Sequence, residues 1–96
     1  MVFLLQNYYN FWGDVVTVFS ERLKIIRKSI GHTQKQVADG IGVAESYYQI
    51  YEYGRTEPKA SNIAKLCRYF NISADYLLGL TDEPRPLREK DTNNDK

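Results

Sequence analysis

The stretch 33-TQKQVADGIGVAESYYQIYEYG-54 decides the fold. It opens on Thr33, followed three residues later by Gln36. That is a capping box: the threonine hydroxyl accepts from the Gln36 amide while the glutamine side chain reaches back to the N–H of Thr33. Val37, Ala38 and Ile41 follow at helical spacing and give the helix an inner face, and Gly42 ends it. About two residues later a second short helix begins, covering residues 44–53 and closing at Gly54. Four tyrosines crowd it. At about 100° per residue, Tyr48 and Tyr51 lie on one side and are the natural inner pair. Ser46, Gln49, Ile50 and Tyr53 cluster on the opposite side, and Tyr47 falls at the rim.

Working outward, the same alternation of amphipathic runs and breakers continues, with no strand alternation. A helix is expected upstream over residues 20–30, with Ser20 as N-cap and Phe19, Leu23, Ile26 and Ile30 on one face, stopped by Gly31. Downstream, a loop holding Pro58 leads to a helix whose buried stripe is Ile63, Leu66, Cys67 and Phe70. Asn71 is its left-handed stop, and Ser73 caps a short last helix carrying Tyr76 and Leu77 to Gly79. The fold expected is all-α, with five helices in a compact domain over residues 19–79. Residues 1–18 form an N-terminal extension, aromatic and polar without a clear period. Residues 80–96 hold two prolines and mixed charge, with almost nothing to bury, and read as a flexible tail.

Composition narrows the function. Ninety-six residues give one small domain. The formal net charge of +1 is unevenly spread: residues 20–79 carry nine Lys/Arg against six Asp/Glu, and the flanks are acidic. Cys67 is the only cysteine, so an intrachain disulfide and a cysteine-cluster metal site are both excluded. This fits a reducing cytoplasm. The apolar opening MVFLL is short and lacks a basic flank, so neither a signal peptide nor a membrane span is expected. A Gly-rich phosphate loop, clustered metal ligands and a nucleophile with a base partner are all missing, and the reading is not an enzyme, with no cofactor and no metal. Lone His32 is a loop residue.

Two short helices joined by a tight glycine turn, the second turning a polar face outward, describe a helix-turn-helix. The residues go further. The runs ERLKIIRKSIGHTQKQVADGIGV, YQIYEYGRTEP and NIAKLCRYFNISADYLLG together resemble the phage-repressor and Cro (Xre-type) family of helix-turn-helix transcriptional regulators. Markers in the family's order are Thr33-Gln34, Ala38, Gly42-Val43, Tyr51-Glu52, Gly54, Pro58 and the closing Asp75-Tyr76-Leu77-Leu78-Gly79. The resemblance implies a lambda-repressor-like domain that binds double-stranded operator DNA, as a homodimer, in a bacterial or phage-encoded cytoplasmic regulator. It implies base contacts from Ala44, Glu45, Ser46 and Ile50, with Gln49 nearby, and backbone contacts from Gln34, Tyr53, Arg55 and, more loosely, Lys59. Glu45 would accept from a cytosine amino group and Ile50 would touch a thymine methyl. The sequence departs from the family pattern where Ala44 replaces a hydroxyl N-cap and where Gly40 softens the preceding helix. Acidic Glu45 and apolar Ile50 on the reading face leave two alternatives: an antitoxin-type regulator that also binds a toxin protein, or a protein-interaction module. The dimer surface is left between Leu78 with Leu80 and the aromatic arm of Tyr8, Tyr9, Phe11 and Trp12.

One structural pair is expected from both directions. Arg27 borders the apolar face of the first helix, and Glu52 borders the inner face of the tyrosine helix. Each needs an opposite charge at a dry border, and members of the family commonly tie these helices together with an arginine and a glutamate at the matching positions.

Overall fold

The upstream helix is longer than residues 20–30. In the computed structural model, which describes residues 11–88, α1 runs unbroken through Phe11–Ser29. Ser20 is therefore no N-cap. It lies buried in mid-helix, and its hydroxyl donates back to the carbonyl of Thr17 at 2.9 Å. The upstream segment escaped detection because Val15, Val16 and Val18 are β-branched, weak helix formers. Tertiary contact overrides that preference: Val18 packs against Gly79 at the other end of the domain. Ile30 also departs from expectation. It falls beyond the last helical turn and is exposed, so the apolar stripe of α1 is Phe19, Leu23 and Ile26. Tyr8 and Tyr9 of the expected aromatic arm lie outside the described residues.

Four helices follow: α2 Gln34–Ile41, α3 Glu45–Glu52, α4 Ala60–Phe70 and α5 Ala74–Leu77. Among the described residues these five helices are the only regular elements. Each boundary has a local cause. Thr33 accepts from the Gln36 amide at 3.0 Å while its own N–H donates to Gln36 Oε1 at 2.7 Å, closing both halves of the capping box. Gly42 ends α2 at φ 78°, and Asn71 ends α4 at φ 53° in the left-handed region. Ser73 caps α5 by accepting from the Tyr76 amide.

The core is one cluster: Phe19 and Leu23 of α1, Val37, Ala38 and Ile41 of α2, Tyr48 and Tyr51 of α3, Leu66 and Cys67 of α4, Ile72, and Leu77 of α5. Tyr48 and Tyr51 are the inner pair of the tyrosine helix, 0% and 1% exposed, while Tyr53 is 54% exposed. In α4 the buried set is Asn62, Leu66 and Cys67, with Ile63 and Phe70 only half-buried. Buried Asn62 donates to the Tyr51 hydroxyl at 2.8 Å, so a polar residue substitutes for part of the expected apolar stripe because it has a partner across the core.

Residues 81–88, expected to belong to the flexible tail, lie against the body. Arg22 of α1 donates to the carbonyls of Tyr76 and Thr81 and pairs with Asp82 at 2.8 Å, its guanidinium 4.2 Å above the Tyr76 ring. The Arg85 carbonyl accepts from the Ser73 amide at 2.8 Å, and the Arg88 amide donates to Asn71 Oδ1 at 3.0 Å. Residues 89–96 lie outside the described residues.

Gly40 has a packing reason that propensity does not reveal. A Cβ placed on it would sit 2.2 Å from the Tyr69 ring, and that ring is held by its hydroxyl's bond to His32 Nδ1 and by an edge contact with Phe70. Helix propensity alone says that Gly40→Ala gains about 1 kcal/mol. The structure predicts a loss of stability instead, because Tyr69 must leave its seat. In a Tyr69→Ala background the same change should raise the melting temperature. Thermal melts of the three variants and the parent check this inversion of sign.

Candidate nucleic-acid interface

The interface begins with what holds α3 in place. Arg27 of α1 meets Glu52 at the end of α3 with both ends of its guanidinium fork: Nε donates to Oε2 at 2.6 Å and Nη2 to Oε1 at 3.1 Å. The Glu52 side chain is 1% exposed and that of Arg27 12%. Arg27 Nη1 also donates to the carbonyl of His32, tying the α1–α2 turn to the same centre. Two further donors complete the carboxylate. The Tyr48 hydroxyl reaches Oε2, and Gln34 Nε2 reaches Oε1 at 3.1 Å. Glu52 thus collects four hydrogen bonds from α1, α2 and its own helix. Among the described residues no buried side-chain nitrogen or oxygen lacks a partner.

The electrostatics follow from this geometry. Burial pushes the Glu52 carboxyl upward, but hydrogen bonds from Arg27, Tyr48 and Gln34 outweigh it and hold the group below its ordinary value of 4.5. The hydrogen bond to Glu52 raises the Arg27 pKa, against the opposing pull of burial. Burial, then the bond to Glu52, raises the Tyr48 phenol far above its ordinary value, so it remains a donor. The pair is charged and the phenol neutral at every ordinary pH.

Around this anchor the expected contact residues fall into place unevenly. Ala44 occupies the N-cap position of α3 in extended backbone, without a side-chain cap bond. Glu45 in the first turn puts a negative charge at the positive end of the helix, partly offsetting the missing cap. Ala44, Glu45 and Ser46 are all exposed. Ile50 differs from the expectation of an outward residue: it is half-buried and packs on the core rim. Gln34 and Gln49 are both half-buried and bonded to each other, Gln49 Nε2 donating to Gln34 Oε1 at 3.0 Å. Tyr53 and Arg55 are exposed just past the end of α3, the guanidinium 5.5 Å from the Tyr53 ring centroid. Lys59 is exposed at the N-cap of α4, its carbonyl accepting from Asn62 and Ile63. Sequence reasoning missed Tyr48 and Gln34 as partners of Glu52, and the link between Gln34 and Gln49. The i, i+4 spacing of Tyr48 and Glu52 was visible; the links between helices were not. Among the described residues no cluster of side chains could hold a metal ion, and no helix is long and apolar enough to cross a membrane.

Comparison with known proteins identifies the family. The helix-turn-helix family model matches residues 23–77, more than half of the chain. The uncharacterized HTH-type transcriptional regulator YobD of Bacillus subtilis is 38% identical over 73 residues, 76% of this chain and 65% of that protein. The cryptic phage CTXphi transcriptional repressor RstR of Vibrio cholerae is 42% identical over 69 residues, 70% of this chain and 62% of the relative. Among solved structures, the restriction-modification controller protein C.AhdI of Aeromonas hydrophila superposes with a TM-score of 0.61 at 29% identity, over 65% of this chain and 94% of that one. The chain belongs to the helix-turn-helix family of transcriptional regulators and phage repressors. It spans slightly under two thirds of the length of these curated relatives.

Removing one partner of the buried pair leaves the other charge stranded. Glu52→Gln or Arg27→Met should cost about 3–5 kcal/mol, lowering the melting temperature by more than about 10 °C. The exposed control Lys28→Met should change it little. The pH response has a definite sign. A carboxyl depressed in the folded state stabilises above its unfolded pKa, and that contribution is lost as pH falls through the folded value. Stability of the parent should therefore drop below about pH 4.5, and Glu52→Gln should flatten that drop; Arg27, raised at the basic end, adds nothing to it. Urea titrations across this range measure both.

Proposed function

We propose that this chain is a sequence-specific DNA-binding transcriptional regulator, and a repressor, that lays α3 in the major groove. The observation that carries the reading is the exposed first turn of α3. Its side chains Ala44, Glu45 and Ser46 face solvent on a helix whose other side is clamped to α1 by the Arg27–Glu52 pair. A helix held this rigidly, with its N-terminal residues free, matches the docking geometry in which such residues meet base edges. Glu45 and Ser46 act on bases, and Ile50 touches a thymine methyl from the rim of the core. Tyr53, Arg55 and Lys59 flank the helix and act on phosphates, with Gln34 at the start of α2 on the opposite flank.

Repression, rather than activation, is supported by the relative named as a phage transcriptional repressor. The functional unit on DNA is a homodimer whose two recognition helices meet half-sites about one helical turn apart. Exposed Leu80 beyond α5 is available to such a contact. The antitoxin and pure interaction alternatives draw no support from the relatives named above, a transcriptional regulator and a phage repressor.

The division of labour is testable by binding to selected operator DNA. Glu45→Ala and Ser46→Ala should change which bases are tolerated at single positions. Arg55→Ala and Lys59→Ala should weaken binding to every sequence alike and reduce the slope of log K against log salt by about one each. Uniform weakening by all four variants, or no effect from the first two, would remove the assignment of α3 as the reading element.

A further inference from the structure

From Ala60 to Phe70, α4 carries no acidic residue. It forms one side of a groove of about 350 Å³, lined by Ala60, Ile63, Ala64 and Cys67 together with Ala74 of α5 and Leu87. Cys67 is buried, and burial pushes its thiol above the ordinary value, so this part of the lining stays uncharged. Leu87 is placed here by hydrogen bonds on either side of it. The Arg85 carbonyl accepts from the Ser73 amide at 2.8 Å, while Arg88 exchanges two bonds with the Asn71 side chain, donating to Oδ1 at 3.0 Å and accepting from Nδ2 at 3.5 Å. The segment 85–88 is thereby fastened to the junction of α4 and α5, and it supplies a wall that neither helix has. The one charged group in the lining is Arg68. It is exposed in the last turn of α4, where it complements the helix dipole. Among the described residues it forms no ion pair. Acidic Asp75, next to Ala74 in sequence, lines a separate polar recess with Ser73, Thr81 and Arg85.

We propose that this groove binds a small amphiphilic carboxylate, its aliphatic or aromatic body lying along α4 and its carboxylate on Arg68. The volume falls at the small end of ligand sites, which run from about 300 to 1,000 Å³. The stretch of helix from Ala60 to Arg68 is about 12 Å long at 1.5 Å per residue, room for an extended acyl chain with its charge at one end. Arginine meets a carboxylate with a planar fork of donors, and an apolar lining with a single cation matches an apolar body with a single anion. Arg68 also borders a second groove, but that one holds Asp39, which repels an anion. A protein partner fits less well. Stable interfaces use about 20–30 residues a side, and here the apolar surface stops at exposed Ser61, Lys65 and Arg68. Binding in this groove requires nothing of α3 and is independent of DNA recognition.

The test is an amide chemical-shift titration of the full chain, labelled with nitrogen-15. Octanoate is the probe, octylammonium is the same chain with the opposite charge, and acetate is the charge without the chain. Octanoate should give saturable shifts centred on residues 60–68 and Leu87, and the two controls should give none at the same concentration. Arg68→Met, a surface change checked by melting, should weaken octanoate about tenfold. Ala64→Leu, which fills part of the groove and is checked in the same way, should weaken it as well. No saturation with octanoate, equal binding of octylammonium, shifts centred on residues 39–42, or unchanged affinity in Arg68→Met would each overturn the proposal. An acidic peptide of alternating glutamate and leucine is titrated alongside. If it binds the same residues more tightly than octanoate, the groove belongs to a protein partner and the proposal is overturned.

Discussion

Glu52 is the group on which the arrangement of helices depends. A carboxylate almost wholly removed from water is costly, and here the cost is offset by four donors: two from Arg27, one from Tyr48 and one from Gln34. Those donors come from α1, α2 and α3. Satisfying the charge therefore requires the three helices to stand in one mutual geometry, because a small shift of any of them leaves a buried charge short of a partner. Apolar residues of the same volume would make a core of comparable stability, but they would tolerate sliding. The bidentate fork of arginine does not.

Under the proposed function, this constraint is what would let a face with so few strong donors serve recognition. The first turn of α3 carries alanine, glutamate and serine, and Ile50 is drawn partly into the core. None of these is a powerful anchor. Their usefulness lies in being held at a fixed depth and angle by a clamp on the opposite side of the same helix, reinforced by the bond between Asn62 and Tyr51. Rigidity reduces the ordering cost that each contact must overcome on binding. The cationic residues proposed to hold register, Arg55 and Lys59, stand exposed on the loop and helix start that follow, outside the clamped segment.

Much of this was legible in the sequence, for physical reasons that differ from element to element. The capping box at Thr33 and Gln36, the left-handed stops at Gly42 and Asn71, and the tyrosine pair on one face of α3 are local effects, written within four residues of each other. Arg27 and Glu52 were legible because a charge at a dry border advertises its need for a partner. The N-terminal half of α1 was not, since its valines disfavour helix and the packing of Val18 against Gly79 lies far along the chain. Nor was the docking of residues 81–88, whose composition promises little burial; Arg22 holds the start of that segment by meeting the Thr81 carbonyl and Asp82, far along the chain. Gln34 and Gln49 were each singled out for DNA contact, yet their bond to one another depends on the crossing of α2 and α3, which no local pattern encodes. Gly40 was read as a weakness and is a seat for Tyr69.

The most direct test of the account is a double-mutant cycle on Arg27 and Glu52, using unfolding free energies of the parent, Arg27→Met, Glu52→Gln and the combined variant. If the buried pair is the interaction that fixes the helices, the combined variant will be far more stable than the sum of the single losses predicts, with a coupling of about 2–3 kcal/mol. A coupling near zero would contradict the account, because the two residues would then contribute independently and the geometry of α3 would have to be held by the apolar core alone.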